Sequence, residues 1–513
     1  QEARSPTPAT RRKAIAKKAT IAATMPGRVH DGNQWIDVET TGGGNTATQI
    51  PVPPAADLDG TVFVAIPSFR DGKRCAETIR SIFENAKDPS KVTVGLIEQN
   101  DPLDDFCLSE YCKFYGVTYV KKRTIRDDVT KLVVQPGREQ CPYFKQIRLV
   151  AVFNIAAAGP NSARALTRKI LGNEEYCMQV DSHTNFVKNW DDIAKEEWKN
   201  ANNEFAIIST VPEDRKQLSS WTASTAEVPR SCLVRSGETD IPEYSSPADG
   251  KAANLESPLL SHAWSAAFSF SKCHLEETVP YDPFTSYVFG AEQFARYARF
   301  WTRGYDVYTP TQNIVYHDYG PNPDGHDIKE WFKHRRERLR KQSLDRMKLF
   351  LGVSRHVPNA DMEHANLGIY GLGKRRTMQQ LNDFAGIDVA ARRGNRQDTK
   401  CANKAWVPYD TSISPLENLH GQPTDLDPQP EYTLRTEFVF YHEEVEAAVG
   451  ALVQGEALLQ EAPIILEEPN SPPVAMLFIL WVFGLVVWCM VFVNQGGSPR
   501  VKRKKRAETT KDV

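Results

Sequence analysis

The run Tyr176-Cys177-Met178-Gln179-Val180 ends abruptly in Asp181-Ser182-His183, just ahead of a helical pattern that begins near Asn189. An apolar strand that stops at a carboxylate and an imidazole constrains the chain more than any other stretch. In open α/β sheets ligands gather beyond the carboxyl ends of the strands. A carboxylate and an imidazole at that place suit a divalent cation, and a divalent cation suits a diphosphate.

The surrounding chain supplies the rest of such a sheet. Thr61-Val62-Phe63-Val64-Ala65-Ile66 is a short β-branched run that stops at Pro67-Ser68. A helical pattern follows Asp71-Gly72, with Cys75, Ala76, Ile79, Ile82, Phe83 and Ala86 on one face. Lys91-Val92-Thr93-Val94-Gly95-Leu96-Ile97 reads as the next buried strand, closed by Glu98, and 117–120 as a third. Gly159-Pro160 opens a helix presenting Ala163, Leu166, Ile170 and Leu171, with Gly172 past its end. After Asp181 the apolar face Trp190, Ile193, Ala194 and Trp198 marks another helix, and 205–210 another strand. Strands alternating with helices predict a largely parallel α/β sheet.

Residues 211–260 are irregular and rich in Ser, Pro and Glu, which predicts a surface insertion, and 263–270 returns to strand character. The 291–303 segment reads as a helix with Phe294, Ala295, Ala298 and Trp301 inward and Gly304 as its terminator. Ile314-Val315-Tyr316 then forms a short strand ending on His317, a second ligand-type residue at a strand end. A long helix over 327–351 carries Ile328, Trp331, Phe332, Leu339, Met347 and Leu351 with many arginines, read as a solvated basic face.

At 513 residues, two units plus tails is the expectation, and 41% apolar with 25% charged residues is globular. The net charge of −2 gives no global case for a nucleic-acid partner. Residues 1–57 form a basic arm around Arg11, Arg12, Lys13, Lys17 and Lys18, or a targeting segment; the chain opens on Gln1, so a signal upstream is compatible. From 391 to 473 the chain turns polar and acidic and reads as a stalk. Residues 474–493 are twenty without a charge, the length of a single transmembrane helix, followed by a basic tail at 494–513 with Arg500, Lys502, Arg503, Lys504, Lys505 and Arg506. Positive-inside asymmetry places that tail in the cytosol and the bulk of the chain in an ER or Golgi lumen. A helix so near the C-terminus inserts the other way when no N-terminal signal precedes it, so a cytosol-facing domain stays open. None of the nine cysteines forms a CxxC pair, and their count does not decide between pairing and free thiols.

Asp-x-His alone is a weak signal, and its bland reading is a pair of surface loop residues. Its position after a strand, together with His317 as a third donor, raises it to a metal site with Asp181, His183 and His317 as ligands. With no thiolate and with coordination positions left open, Mn²⁺ fits better than zinc, and Mg²⁺ comes next. Gly368 and Gly373-Lys374 have Walker A spacing, but Arg375 stands where Ser or Thr must bind Mg²⁺, and no strand precedes. No GxGxxG follows a strand, and neither HExxH nor GxSxG occurs. Glu292 opens a helix, as a dipole partner or as a carboxylate toward sugar hydroxyls, and Trp301 reads as core or as a stacking platform.

Six ordered blocks carry a resemblance. They are Val64-Ala65-Ile66-Pro67-Ser68-Phe69-Arg70-Asp71; Gly159-Pro160-Asn161-Ser162-Ala163-Arg164; Gln179-Val180-Asp181-Ser182-His183 with Asn189-Trp190-Asp191; Phe289-Gly290-Ala291-Glu292-Gln293 with 298–306; Asn313-Ile314-Val315-Tyr316-His317; and Tyr370-Gly371-Leu372-Gly373 with Arg376-Thr377. Together, over roughly 60–390, they resemble the family of hydroxyproline-modifying polypeptide GlcNAc-transferases, and more distantly the mucin-type polypeptide GalNAc-transferases. The resemblance implies a GT-A domain over 58–390, UDP-GlcNAc as donor, a polypeptide hydroxyl as acceptor, a divalent metal and retention of configuration. It implies Asp181, His183 and His317 on the metal; Pro67, Ser68 and Arg70 along uridine and ribose; and Arg164 and Ser182 near the nucleotide. Glu292 would contact the donor sugar, with Trp301 nearby, so that Asp181 and Glu292 carry the catalytic expectation. Gln293 departs from a second glutamate usual in that family, and the C-terminal anchor departs from its soluble members. UDP-GalNAc or UDP-glucose as donor, and a non-catalytic glycan- or nucleotide-binding protein, are the competing expectations.

Overall fold

The sheet at the centre of the molecule is built on one strand, β1 (Val62–Phe69), whose side chains are divided between two cores. In the computed structural model Val62, Val64 and Ile66 face α1 (Gly72–Asn85) through Cys75, Ile79, Ile82 and Phe83. Phe63 and Ala65 face the opposite way, onto Ala163, Leu166 and Ile170 in and just after α3 (Pro160–Leu166). A period-two strand buried on both faces must be covered by elements on both sides, which is why its sequence is almost wholly apolar. Burying each of these aliphatic side chains contributes roughly 1.5–3 kcal/mol. The structure describes residues 59–419 except 102–103, 119, 126–128, 135–139, 219–226, 237–238, 246–247, 327–336, 354–366 and 396–403; outside that span it describes only the backbone of short strands at 19–22, 28–30, 35–37, 49–52 and 437–440.

Further elements follow in chain order: β2 (Val92–Asn100), α2 (Cys107–Lys113), β3 (Ile147–Phe153), β4 (Tyr176–Val180), β5 (Thr184–Phe186), α4 (Trp190–Asn200), β6 (Ala206–Ser209), β7 (Glu213–Asp214), β8 (Leu259–Ser261), β9 (Phe268–Lys272), α5 (Ala291–Trp301), β10 (Asp306–Thr309), β11 (Val315–His317), α6 (Glu337–Leu351), α7 (Met378–Ala385) and β12 (Glu437–Phe440). The nine-stranded sheet runs β8-β10-β6-β9-β4-β1-β2-β3-β12. β4, β1, β2 and β3 are parallel in succession. β9 lies antiparallel between β4 and β6, so the sheet is mixed rather than largely parallel. The cause is the route to β9. The chain reaches it through the 211–267 excursion, with no crossover helix among the described residues, and so is free to enter antiparallel.

Other expectations shift by local physics. β1 runs on through Pro67, because β4 pairs only as far as Gln179 opposite Ala65. Beyond that point β1 is flanked on one side, an edge-like setting that tolerates a residue without an N–H. Of the described residues in the strand read at 117–120 only Val120 is in a strand, the first residue of a separate ribbon, Val120–Ile125 against Val129–Val134, and the next central strand is β3. The 211–260 segment holds two small hairpins, and the strand read at 263–270 starts only at Phe268. Within the polar stretch from 391, residues 404–419 lie against the domain, where Trp406 Nε1 donates to Asp306 (2.9 Å).

Three disulfides staple the core: Cys75–Cys107 joins α1 to α2, Cys112–Cys141 ties α2 onward, and Cys177–Cys273 ties β4 to the residue after β9. Cys232 is disulfide-bonded as well. With sequence separations of 32, 29 and 96, each of the three closes a loop whose entropy is worth roughly 3–5 kcal/mol in the chain-entropy account. Among the described residues no helix is long and apolar enough to cross a membrane; the transmembrane run at 474–493, the basic arm at 1–57 and the basic tail at 494–513 have no described side chains.

Candidate functional site

Asp181 and His183 follow β4, and the short β5 that comes next is what recruits their distant partner. β5 pairs antiparallel with β11, placing Thr184 opposite His317. β7 pairs with β11 from the other side, with Asp214 opposite His317. Donor atoms of Asp181, His183 and His317 thereby fall within 4.8 Å of one another. His317 Nε2 lies 3.4 Å from Asp181 Oδ2, and the two imidazole rings stand edge to face at 4.5 Å. Two imidazoles and one carboxylate converging without a thiolate form a donor set that fits a hard or borderline divalent cation.

Electrostatics favour an ionised Asp181. Burial alone pushes its carboxyl upward, but the His317 hydrogen bond, the Arg164 guanidinium and His183 together hold it well below the usual carboxylate range. Arg164 Nη2 donates to Asp181 Oδ1 at 3.0 Å. The arginine sits on α3, whose N-cap Gly159 has φ +97°, a conformation open to glycine and costly for other residues. Asp181, Ser182, His183, Arg164 and Pro67 border one pocket, with the half-exposed Phe289 at its edge.

Glu292 stands in the first turn of α5, whose N-cap Gly290 has φ +90°; it feels the Arg164 charge but is not among the residues that border the pocket. Burial pushes its carboxyl up to about 7, against the opposing pull of Arg164. Its Oε2 is buried without a hydrogen-bond partner. The folded protein therefore keeps a proton that the unfolded chain, with a carboxyl near 4.5, has already released. Stability contributed by this group is present below pH 4.5 and is lost as pH rises toward 7. Glu292→Gln is expected to stabilise the protein at pH 8 by on the order of 3 kcal/mol, and to give no gain near pH 4.5. Melting curves at the two pH values check this; equal midpoints at pH 8 would count against a buried, strained carboxyl.

Other expected residues take different places. Ser68 is fully buried with its Oγ unpartnered. Arg70, at φ +51°, pairs its guanidinium with Asp104 through Nε–Oδ2 (2.8 Å) and Nη2–Oδ1 (2.7 Å). Trp301 is 1% exposed, stacked on Phe384 with Arg376 above its ring, so it is core and no stacking platform for a sugar. It occupies the end of α5 opposite Glu292 because the helix is 11 residues long. Gln293 is structural, its Oε1 accepting from Ala266 N at 3.0 Å. Asp71, Arg74, Gln99 and Asn322 also border the pocket, beyond the site residues expected from the sequence. Asp71 lies two residues past the end of β1, and that position is the signal available in the sequence.

Comparison with known proteins places this geometry. A family model described as glycosyltransferase (GlcNAc) matches residues 61–391. No curated protein matches the sequence. Among solved structures, GalNAc-T7 with UDP, GalNAc and Mn²⁺ aligns over 63% of this chain at 11% identity with a TM-score of 0.39, the chain spanning 56% of that protein's length. S. aureus TarS 1–349 in complex with UDP-GlcNAc aligns over 59% of this chain and 69% of that fragment at 11% identity, with a TM-score of 0.32. The family match covers well over half of the sequence and takes in all three converging donors together with Arg164 and Glu292; the chain belongs to the GlcNAc glycosyltransferase family and is a glycosyltransferase.

Proposed function

We propose that this chain is a divalent-metal-dependent, retaining transferase of GT-A type that moves GlcNAc from UDP-GlcNAc to a polypeptide hydroxyl, that of hydroxyproline or of Ser/Thr. The observation that carries the reading is the convergence of Asp181, His183 and His317 beside a pocket at the carboxyl ends of parallel strands. A cation held by these three residues, Mn²⁺ before Mg²⁺, supplies neutralisation of the negative charge that the leaving diphosphate acquires.

The remaining work falls to the chain's own groups. Arg164 fixes Asp181 and adds positive charge beside the pocket. Glu292, with its carboxyl near 7, both donates and accepts hydrogen bonds at neutral pH, which suits a group holding donor-sugar hydroxyls. Holding that sugar against an acceptor hydroxyl is chiefly a positioning task.

The test is UDP release and sugar transfer with UDP-GlcNAc, UDP-GalNAc and UDP-glucose, in Mn²⁺, Mg²⁺ and EDTA. Paired peptides differing only in proline or hydroxyproline serve as acceptors. Expected are turnover with UDP-GlcNAc, its loss in EDTA, and transfer to the hydroxyproline peptide. Faster turnover of another donor replaces the sugar assignment. No turnover and no UDP binding with any donor removes the enzyme reading of this pocket.

The three disulfides favour an oxidising lumen for the catalytic domain, in the ER or Golgi, with 474–493 as its membrane anchor. Protease added to sealed microsomes should leave this domain intact until detergent is added. Digestion without detergent points instead to a cytosol-facing domain.

A further inference from the structure

Asp71 stands at the N-cap of α1, where an aspartate ordinarily accepts a hydrogen bond from the second or third helical N–H and contributes about 1 kcal/mol. Here its side chain makes no capping bond. The carboxylate turns inward, 3% exposed, and its oxygens are used elsewhere. Oδ2 lies 2.9 Å from His183 Nδ1 and accepts from Ser182 Oγ at 3.1 Å, while Oδ1 accepts from Arg74 Nε at 2.8 Å. Giving up a local cap for a long-range network is the kind of conflict expected at a working site.

The partners fix what that network does. A carboxylate held by a guanidinium is an acceptor, so His183 Nδ1 carries the proton and Nε2 keeps the lone pair. Arg74 reaches further: its Nη1 donates to Gly320 O at 2.9 Å and lies 3.9 Å from Asp318 Oδ2. It therefore ties the start of α1 to the segment that follows His317. Asp318 N donates to His183 O at 2.8 Å, closing the loop between the two histidine-bearing segments. By contrast, His317 Nδ1 is buried with no hydrogen-bond partner, and its ring is placed by β pairing and by packing against Tyr319 at 4.3 Å. Only one of the two imidazoles has a carboxylate behind it.

We propose that Asp71, clamped by Arg74, is a positioning residue that fixes the tautomer and orientation of His183 toward the bound cation. The proposal rests on the reading of Asp181, His183 and His317 as a metal site. A carboxylate behind a metal-bound imidazole sets the ring's orientation and basicity, and its loss typically weakens metal affinity 10–100-fold. Asp71→Asn removes the charge and sets an amide whose single oxygen cannot accept from all three donors; it leaves the helix cap as it was, because no cap bond existed.

The experiment titrates Mn²⁺ into the full chain, with and without UDP, by calorimetry and by the electron-spin signal of free Mn²⁺, alongside melting midpoints without metal. Wild type is expected to bind Mn²⁺, with Asp71→Asn weaker by roughly 10–100-fold. Asp71→Glu should recover part of the loss, since it restores the carboxylate. Arg74→Lys should weaken binding as well, and it decides the matter if Asp71→Asn does not fold. Wild-type Mn²⁺ affinity in Asp71→Asn, or in a folded Arg74→Lys when Asp71→Asn is lost, overturns the inference and leaves the metal site standing. A wild-type protein that takes up no Mn²⁺ overturns the metal reading and this inference with it.

Discussion

Asp181→Asn is expected to lower UDP release from UDP-GlcNAc by about 10³-fold, the largest loss from any single polar substitution in the pocket. The substitution keeps the shape and still offers Arg164 an acceptor, so what disappears is one unit of negative charge between Arg164 and two imidazoles. It is also the one carboxylate in the converging set, the other two members being imidazoles. Two further readouts accompany the rate. EDTA should reproduce the wild-type loss and add little to the variant, since both act on the same interaction. The melting midpoint should move by only a few degrees, because Asp181 remains partly open to the pocket, its side chain 27% exposed. Near-normal turnover in Asp181→Asn, or full activity in EDTA, would sink the metal-centred account of this site.

The second large effect is on stability and lies far from the pocket chemistry. Arg376 and Asp306 are 2% exposed or less, paired through Nη1–Oδ1 at 2.9 Å and Nη2–Oδ2 at 3.2 Å. The guanidinium lies over Trp301, Trp406 and Tyr409 at 4.5, 5.6 and 5.1 Å, and its Nε donates to Val407 O. Asn203 Nδ2 and Trp406 Nε1 both donate to Asp306 Oδ2, so its carboxylate is enclosed by donors. Arg376→Met leaves Asp306 buried and without its cation, which costs about 3–5 kcal/mol and lowers the melting midpoint by roughly 10 °C. Replacing Asp306 as well should return part of that loss, because removing one partner of a buried pair is worse than removing both. A midpoint within about 2 °C of wild type for Arg376→Met would refute this. The cluster also explains why 404–419 belongs to the domain, since Trp406 and Tyr409 complete the aromatic cage around the arginine.

Much of the fold was legible because strands buried on both faces leave an unmistakable apolar signature. β1, β2 and β4 announced themselves in this way, and so did the apolar faces of α1 and α4. The polar residues just past β4 were legible for a related reason: a run of buried side chains that ends on Asp and His leaves those groups at a strand end, where the sheet opens to ligand. The direction of β9 was not legible. Its five residues read as a strand either way, and only the route taken by the excursion before it set the antiparallel pairing. Trp301 shows the opposite limit. An aromatic on an amphipathic helix is equally suited to core and to ligand, and the burial that decided it came from Arg376 and Phe384, which are distant in sequence.

The sequence by itself singled out the candidate residues: Asp181 and His183 at one strand end, His317 at another, and Glu292 at the head of a helix. Residue type and local pattern suffice for that, because ligand donors must stand where a buried strand gives out. Only the tertiary structure decided how they cooperate. The pairing of β5 with β11 brought His317 to His183, α3 carried Arg164 to Asp181, and α1 turned Asp71 away from its own cap toward the imidazole. Such contacts join segments far apart in the chain, and they depend on strand register and helix packing rather than on any spacing along it.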